Sequence, residues 1–194
     1  MINIWRVLKS RMTFFAGMSY KSFGERTVID RAFRIKGKKH ISIGEKTYIR
    51  SGIRLEAIPE QNQRSAEPEI IIGSHVQIHY NCTIIAAGNG KVSIGDYCLL
   101  ASNIYIGNDN HGMNPDVPSY ILNPLITKDI YIGEGCWLGE KVVILPGVHI
   151  GNKSIIGAGS VVTKNIPAYS IAVGNPARVV KQYDQRRKEW VKIL

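Results

Sequence analysis

An aliphatic side chain returns at every sixth position late in the chain: Ile132, Leu138, Ile144, Ile150 and Ile156. Glycine follows it at Gly133, Gly139, Gly151 and Gly157, and Leu145 takes that place once. Four positions after each aliphatic comes a small or apolar residue: Cys136, Val142, Val148, Ser154 and Ser160. A period of six fits neither a 3.6-residue helix nor a long alternating strand. It fits short strands joined by tight turns and wound into stacked coils. Each coil then buries its aliphatic row against the coils above and below, and none is stable alone. The pattern predicts an all-β fold, a parallel β-helix of hexapeptide repeats.

The same period runs backwards through the chain. It begins raggedly around Val28 to Ile41 and becomes regular at Ile43-Gly44, Ile49 and Leu55. A polar stretch from Pro59 to Pro68 interrupts it as an excursion loop. It resumes at Ile72-Gly73, Ile78 and Ile84, and Ala87-Gly88-Asn89-Gly90 is a short insertion. After Ile94-Gly95, Leu100 and Ile106-Gly107 the period stops from Asn108 to about Asp129. A long, polar, structureless loop set in a regular repeat is where a rigid scaffold carries function. Three segments follow: residues 1–27 as a helical cap, 28–173 as the β-helix with its excursion loop at 108–129, and 174–194 as a tail ending in a short helix. The first segment shows Trp5, Leu8, Met12 and Phe15 at helical spacing, with Arg6, Lys9 and Arg11 between them. Such an amphipathic helix closes the open end of the solenoid or makes a peripheral membrane contact. In the tail, Gln185-Arg186-Arg187-Lys188-Glu189-Trp190 reads as a basic helix.

Composition narrows the picture. The chain has 194 residues, 44% of them hydrophobic, enough for one domain with a sizeable core. The formal net charge of +10 favours an anionic partner, such as an anionic membrane face or a phosphate-bearing cofactor. Nucleic acid is not expected, because no recognised nucleic-acid motif and no run of Lys and Arg interleaved with aromatics occurs. The three cysteines, Cys82, Cys98 and Cys136, all fall at the small inward position of a hexad. Their odd number and lack of CxxC spacing argue against a disulfide framework or a structural zinc site. No apolar run reaches a membrane span and no signal peptide is evident, so a cytoplasmic protein is the expectation.

Several motifs go beyond the bare repeat. They are Asn108-Asp109-Asn110-His111-Gly112, Ile132-Gly133-Glu134-Gly135-Cys136-Trp137-Leu138-Gly139, Leu145-Pro146-Gly147-Val148, Ile156-Gly157-Ala158-Gly159-Ser160-Val161-Val162-Thr163-Lys164 and Gly174-Asn175-Pro176-Ala177-Arg178-Val179. Over roughly residues 40 to 181 the chain resembles the hexapeptide-repeat acyltransferases. That left-handed β-helix family includes galactoside, maltose and serine O-acetyltransferases. The short His-bearing loop is most similar to the members that O-acetylate capsule, O-antigen or exopolysaccharide sugars. The resemblance implies left-handed winding, against the usual right-handed rule for β crossovers. It implies a homotrimer with acetyl-CoA lying in the grooves between neighbouring β-helices, a carbohydrate acceptor and no metal. It assigns the general base to His111. A neutral imidazole titrates near neutrality and can take the proton from a sugar hydroxyl as it attacks the thioester. The resemblance also implies acceptor contacts at His79, Asn81, Asp109 and Asn110, with Asp109 or Asn110 able to orient the imidazole. Trp137 matches a recurrent aromatic of the groove wall. Ala158 and Ser160 match the segment whose backbone borders the pantetheine arm. Thr163, Lys164, Arg178 and Lys181 match positions around the adenosine phosphates. Relatives often carry Arg where this chain has Lys181, which weakens a bidentate contact there.

Other readings remain at this stage. An amino-group acceptor, either an amino sugar or a xenobiotic, would make the enzyme an N-acetyltransferase. γ-Class carbonic anhydrases share the architecture and bind zinc through three histidines. Here His75 and His111 have suggestive spacing, but Asp116 stands where the third ligand would be. A noncatalytic scaffold is the third possibility, and failure to bind CoA would mark it.

Overall fold

The computed structural model describes residues 19–59 and 66–193. The expected helix around Trp5 to Phe15 and most of the excursion between Pro59 and Pro68 lie outside the described residues. Three parallel sheets run along the molecule, each taking one strand from every coil. One coil comprises Ile130–Ile132, Trp137–Leu138 and Val143–Ile144, and the next repeats it with His149–Ile150, Ile155–Ile156 and Val161–Val162. The coils are stacked in phase: Tyr131 pairs with His149, Trp137 with Ile155, and Val143 with Val161. The first strand, Ser22–Phe23, already pairs in parallel with Ile41–Ile43, so the ladder starts within the segment expected to be helical.

Each side of the prism offers one inward aliphatic and one or two outward residues before the chain turns. The inward rows are therefore columns of like residues. Ile72, Ile94, Ile132 and Ile150 line the first sheet, Ile78, Leu100, Leu138 and Ile156 the second, and Ile84, Ile106, Ile144 and Val162 the third. All are at most 2% exposed. Stiff β-branched side chains suit this pleated, close-packed surface.

The glycine that follows the first aliphatic has a steric cause. A Cβ built on Gly95 would lie 2.7 Å from Glu134 N and 2.8 Å from the Gly133 carbonyl carbon, backbone atoms of the next coil. Two residues on, the chain turns through a left-handed residue at His75, Tyr97 and Lys153, with φ of 57°, 58° and 57°. That conformation costs an L-residue roughly 1–2 kcal/mol. A hydrogen bond to the adjacent coil offsets it: Tyr97 N donates to Ser74 O at 2.9 Å, and Lys153 N to Glu134 O at 2.8 Å. The next inward position holds Cys98, Cys136 and Ser154 in successive coils, each donating to a neighbouring carbonyl. Cys98 Sγ reaches Gly133 O at 3.1 Å, Cys136 Sγ reaches Gly151 O at 3.2 Å, and Ser154 Oγ reaches Pro167 O at 2.8 Å. All three cysteines are buried core residues.

Two segments differ from the expectation. The tail is not helical. Arg178–Asp184 runs antiparallel to Ser170–Val173 on one side and to Glu189–Lys192 on the other, extending the second sheet. Asp184 makes the turn by accepting from the amides of Arg186 and Arg187 at 2.8 and 3.0 Å, and Lys188 adopts φ 57°. The open edge of the second sheet offers this segment more backbone partners than a short isolated helix would have. Tyr183 and Trp190 pack edge to face across the pair at 5.3 Å.

The excursion at 108–129 is not structureless either. Asp109–His111 and Leu125–Thr127 form an antiparallel ribbon, and Tyr120–Leu122 makes a 3-10 turn. Asn108 roots this arm. It is fully buried, its Oδ1 accepts from Ala87 N at 2.7 Å, its Nδ2 donates to Ala87 O at 3.4 Å, and its own carbonyl accepts from Lys128 N at 2.9 Å. The Asn108 amide fills the space a Cβ on Gly90 would need. The Ala87 to Gly90 insertion is thus the seat of the later, larger one.

Gly95→Ala is expected to lower unfolding free energy by roughly 1–3 kcal/mol through overpacking at the corner, read by urea denaturation. Asn108→Ala is expected to cost about 1–3 kcal/mol by leaving the buried Ala87 N–H unpaired. Limited proteolysis of that variant should then cut first within the arm.

Candidate active site

His111 lies at the outer end of the first arm strand and is exposed, with its backbone paired to Leu125. Asn110 is exposed and Asp109 half-buried. Successive strand residues point to opposite faces, so Asp109 and His111 share one side of the ribbon and Asn110 takes the other. Gly112 N donates to Pro124 O at 2.9 Å, and Asn123 Nδ2 to Asn114 O at 3.2 Å, which closes the arm beyond the ribbon. Tyr105 lies just before the root of the arm. Its phenol is pushed up by burial first and by the Asp109 charge second, against a lowering effect of Arg54.

The positions matched to the donor lie elsewhere on the prism. Trp137, 49% exposed, belongs to an outward row of the second sheet in which Leu99, Trp137, Ile155, Ile171 and Lys181 are successive pairing partners. Ala158 is exposed at the corner between the second and third sheets, beside Gly159, whose missing Cβ would face open space. Ser160 is fully buried and its Oγ accepts from Gly174 N at 3.0 Å, so only its backbone can border a ligand. Thr163 and Lys164 are exposed after the third-sheet strand Val161–Val162. Arg178 is exposed, with Nη1 donating to Ala177 O at 3.0 Å. Among the described residues no carboxylate pairs with Lys164, Arg178 or Lys181.

His79 and Asn81 stand at the corner between the second and third sheets. His79 is half-buried, and its amide donates to Leu100 O at 2.9 Å. Asn81 is exposed with φ 57°, and its side chain lies over Gly52. The fold therefore splits the sequence-predicted residues. His79, Asn81, Ala158 and Ser160 share one corner, at different coils. Asp109, Asn110 and His111 leave the prism from the next corner, across the third sheet.

Sequence reasoning missed Asn108 as an anchor, and it missed a charged cluster beside the arm formed by Arg34, Arg54 and Glu56. The available signal was Glu56, a carboxylate in the run Leu55-Glu56-Ala57 that the structure buries to 1%. None of the cysteines is accessible as a nucleophile: all three are buried, although the hydrogen bond with Cys98 lowers Cys136. Burial pushes Cys82 up to about 11, and the hydrogen bond to Cys136, together with burial, pushes Cys98 up. His75 stacks on Tyr97 at 4.8 Å and lies 3.7 Å from Glu45. Among the described residues no three His, Cys, Asp or Glu side chains gather as a metal site requires.

The family model of the bacterial transferase hexapeptide, six repeats, matches residues 129–164. The chain is 32% identical over 166 residues to WbbJ of Escherichia coli (strain K12), which is named for O-acetyl transfer in lipopolysaccharide biosynthesis; the match covers 81% of this chain and 80% of that protein. It is 37% identical over 121 residues to the galactoside O-acetyltransferase of the same strain, covering 62% of this chain and 58% of that relative's length. Among solved structures it is similar to AntD, an N-acyltransferase from Bacillus cereus in complex with dTDP and 3-hydroxybutyryl-CoA, at 21% identity and a TM-score of 0.73 over 91% of this chain and 90% of that one. A galactoside acetyltransferase in complex with coenzyme A matches at 27% identity and a TM-score of 0.53, over 87% of this chain and 72% of that one. With in-phase six-residue sides on three parallel sheets, and 32% identity over four-fifths of both sequences, the chain belongs to the bacterial hexapeptide-repeat transferase family.

Proposed function

We propose that the protein is a cytoplasmic O-acetyltransferase that moves the acetyl group of acetyl-CoA to a sugar hydroxyl of a surface polysaccharide or its precursor, with His111 as general base. The observation that carries this reading is an exposed imidazole on a two-stranded arm rooted in the prism by a buried asparagine. Relatives named for O-acetyl transfer to galactosides and in lipopolysaccharide biosynthesis support the acceptor class. The coenzyme A held by the galactoside acetyltransferase supports the donor.

In this reading the neutral imidazole accepts the hydroxyl proton as the sugar oxygen attacks the thioester carbonyl. The tetrahedral oxyanion then collapses, the C–S bond breaks, and the CoA thiolate takes the proton from the imidazolium. A covalent acyl-enzyme is unnecessary, in keeping with three buried thiols. The donor would lie along the outward row from Trp137 to Lys181, past the backbone of Ala158 and Ser160. Thr163, Lys164, Arg178 and Lys181 would meet its phosphates. Lys181 brings a single ammonium where an Arg would fork.

We read the working unit as a homotrimer of left-handed coils. The split of the residues between two corners of one prism supports this, because a neighbouring copy can bring its donor corner to the arm of the first. Peripheral membrane contact through the basic N-terminal segment would suit a lipid-linked acceptor.

His111→Ala should lower kcat by roughly two decades or more with acetyl-CoA affinity nearly unchanged. Thiol release measured with Ellman's reagent, beside calorimetric titration of CoA, checks this, and full activity would remove the assignment. Lys164→Ala and Arg178→Ala should weaken CoA binding, with the larger loss at low salt. Assays on simple glycosides, amino sugars and chloramphenicol separate the acceptor classes: acetylation of amino groups alone would replace the O-acetyl reading.

A further inference from the structure

Arg34 and Arg54 share the buried carboxylate of Glu56, but Arg50 is held in another way. Its guanidinium carbon lies 4.4 Å from the centre of the Tyr48 ring and 5.8 Å from that of the Tyr80 ring. Its Nη1 donates to the Tyr48 hydroxyl at 3.0 Å, and that hydroxyl donates to Asp30 Oδ2 at 3.0 Å. Among the described residues this is the only hydrogen bond of the Arg50 side chain, and no carboxylate pairs with it. Two aromatic faces and one phenol fix the plane of the guanidinium, so its other N–H groups keep one orientation. An ordered, half-buried cation without a counter-ion favours an arriving oxyanion.

Register places this clamp beside residues already singled out. Asp30, Arg50 and His79 hold the same place in three successive coils, their amides donating to Ile49 O, Ile78 O and Leu100 O. Tyr80, 46% exposed, stands between His79 and Asn81, and the Asn81 side chain lies over Gly52. Tyr48 also begins a continuous outward row of the second sheet: it pairs with Gln77, Gln77 with Leu99, and Leu99 with Trp137. In the proposed reading the donor occupies this row from Lys181 to Trp137, with its phosphates at the Lys181 end. The Tyr48 end is left for the acceptor. There an exposed tyrosine, an imidazole and a carboxamide can meet a sugar ring and its hydroxyls. A planar guanidinium among them can meet a carboxylate or phosphate in fork geometry.

We propose that Arg50, clamped by Tyr48 and Tyr80, is a specificity-determining residue that binds an oxyanion carried by the sugar acceptor, either a ring carboxylate or a phosphate ester. Tyr48 and Tyr80 orient the fork, and His79 and Asn81 meet the neutral part of the same sugar. The inference rests on the reading of His79 and Asn81 as acceptor contacts, and its test reads binding and not turnover.

Ligand-observed NMR titration of the full chain in low salt, with CoA at saturation to occupy the donor cations, compares methyl β-D-glucuronide, glucose 1-phosphate and methyl β-D-glucoside. At least one of the two anionic sugars should bind roughly tenfold more tightly than the neutral glycoside. The preferred one identifies the recognised group as carboxylate or phosphate. Arg50→Gln should abolish that preference while the neutral glycoside binds as before, and Arg50→Lys should keep part of it. The preference should also shrink as salt rises. A merely structural Arg50 would lower the thermal midpoint of Arg50→Gln and leave the preference intact. Equal binding of charged and neutral sugars by the unaltered chain, or a preference unchanged in Arg50→Gln, would overturn the proposal. An Arg50-dependent preference in a protein that does not bind CoA would instead retire the acetyl-transfer reading and leave the oxyanion subsite standing.

Discussion

The fold depends on the coils being stacked in phase. A two-residue strand has no backbone partners within its own coil, so its amides and carbonyls are satisfied by the coils on either side. Gly95 N donates to Ile132 O at 2.8 Å, and Gly133 N to Ile150 O at 2.8 Å. Once the coils are in phase, identical positions become columns. Aliphatics meet aliphatics inside, small hydroxyl and thiol residues meet carbonyls, and outward residues form straight rows. Stability then becomes a sum of neighbour terms. The sides of the prism tolerate no extra residue, and insertions are confined to corners.

That confinement organises the candidate site. The four-residue insertion ending at Gly90 and the arm beginning at Asn108 leave the prism at the same corner in adjacent coils, and one seats the other. A loop of this length standing alone would sample many conformations. Rooted by Asn108 and paired as a ribbon, it presents His111 from a defined strand. The positions matched to the donor occupy rows on a different face and corner, so in the proposed reading the base and the donor site stand on separate parts of the scaffold.

The hexads were legible because the constraint behind them is local. Each side needs one aliphatic and a tight corner, and the sequence from Ile132 to Val161 states this without interruption. The position of His111 outside the repeat was legible for the same reason. What the sequence did not display depends on partners from other coils. Asn108 reads as another polar loop residue until Ala87, 21 positions away, is brought beneath it. Glu56 and Arg54 read as surface charges until register lays them beside the root of the arm. The run from Gln185 to Trp190 has the composition of a basic helix, yet the open edge of the second sheet outweighs local propensity, and Asp184 turns the chain back on itself.

The reversed tail has a consequence for self-association. A stack of coils ends in rows of unpaired amides and carbonyls, a template on which another molecule could continue the ladder. On the second sheet that row is overlaid by two strands of opposite direction, with Arg186, Arg187 and Lys188 crowded at their turn. An incoming coil would meet a hairpin in place of a regular coil, and a like-charged rim. The hairpin thereby blocks fibre growth along this face, a safeguard a repetitive β-fold needs once its hydrogen bonding is directed outward from every layer.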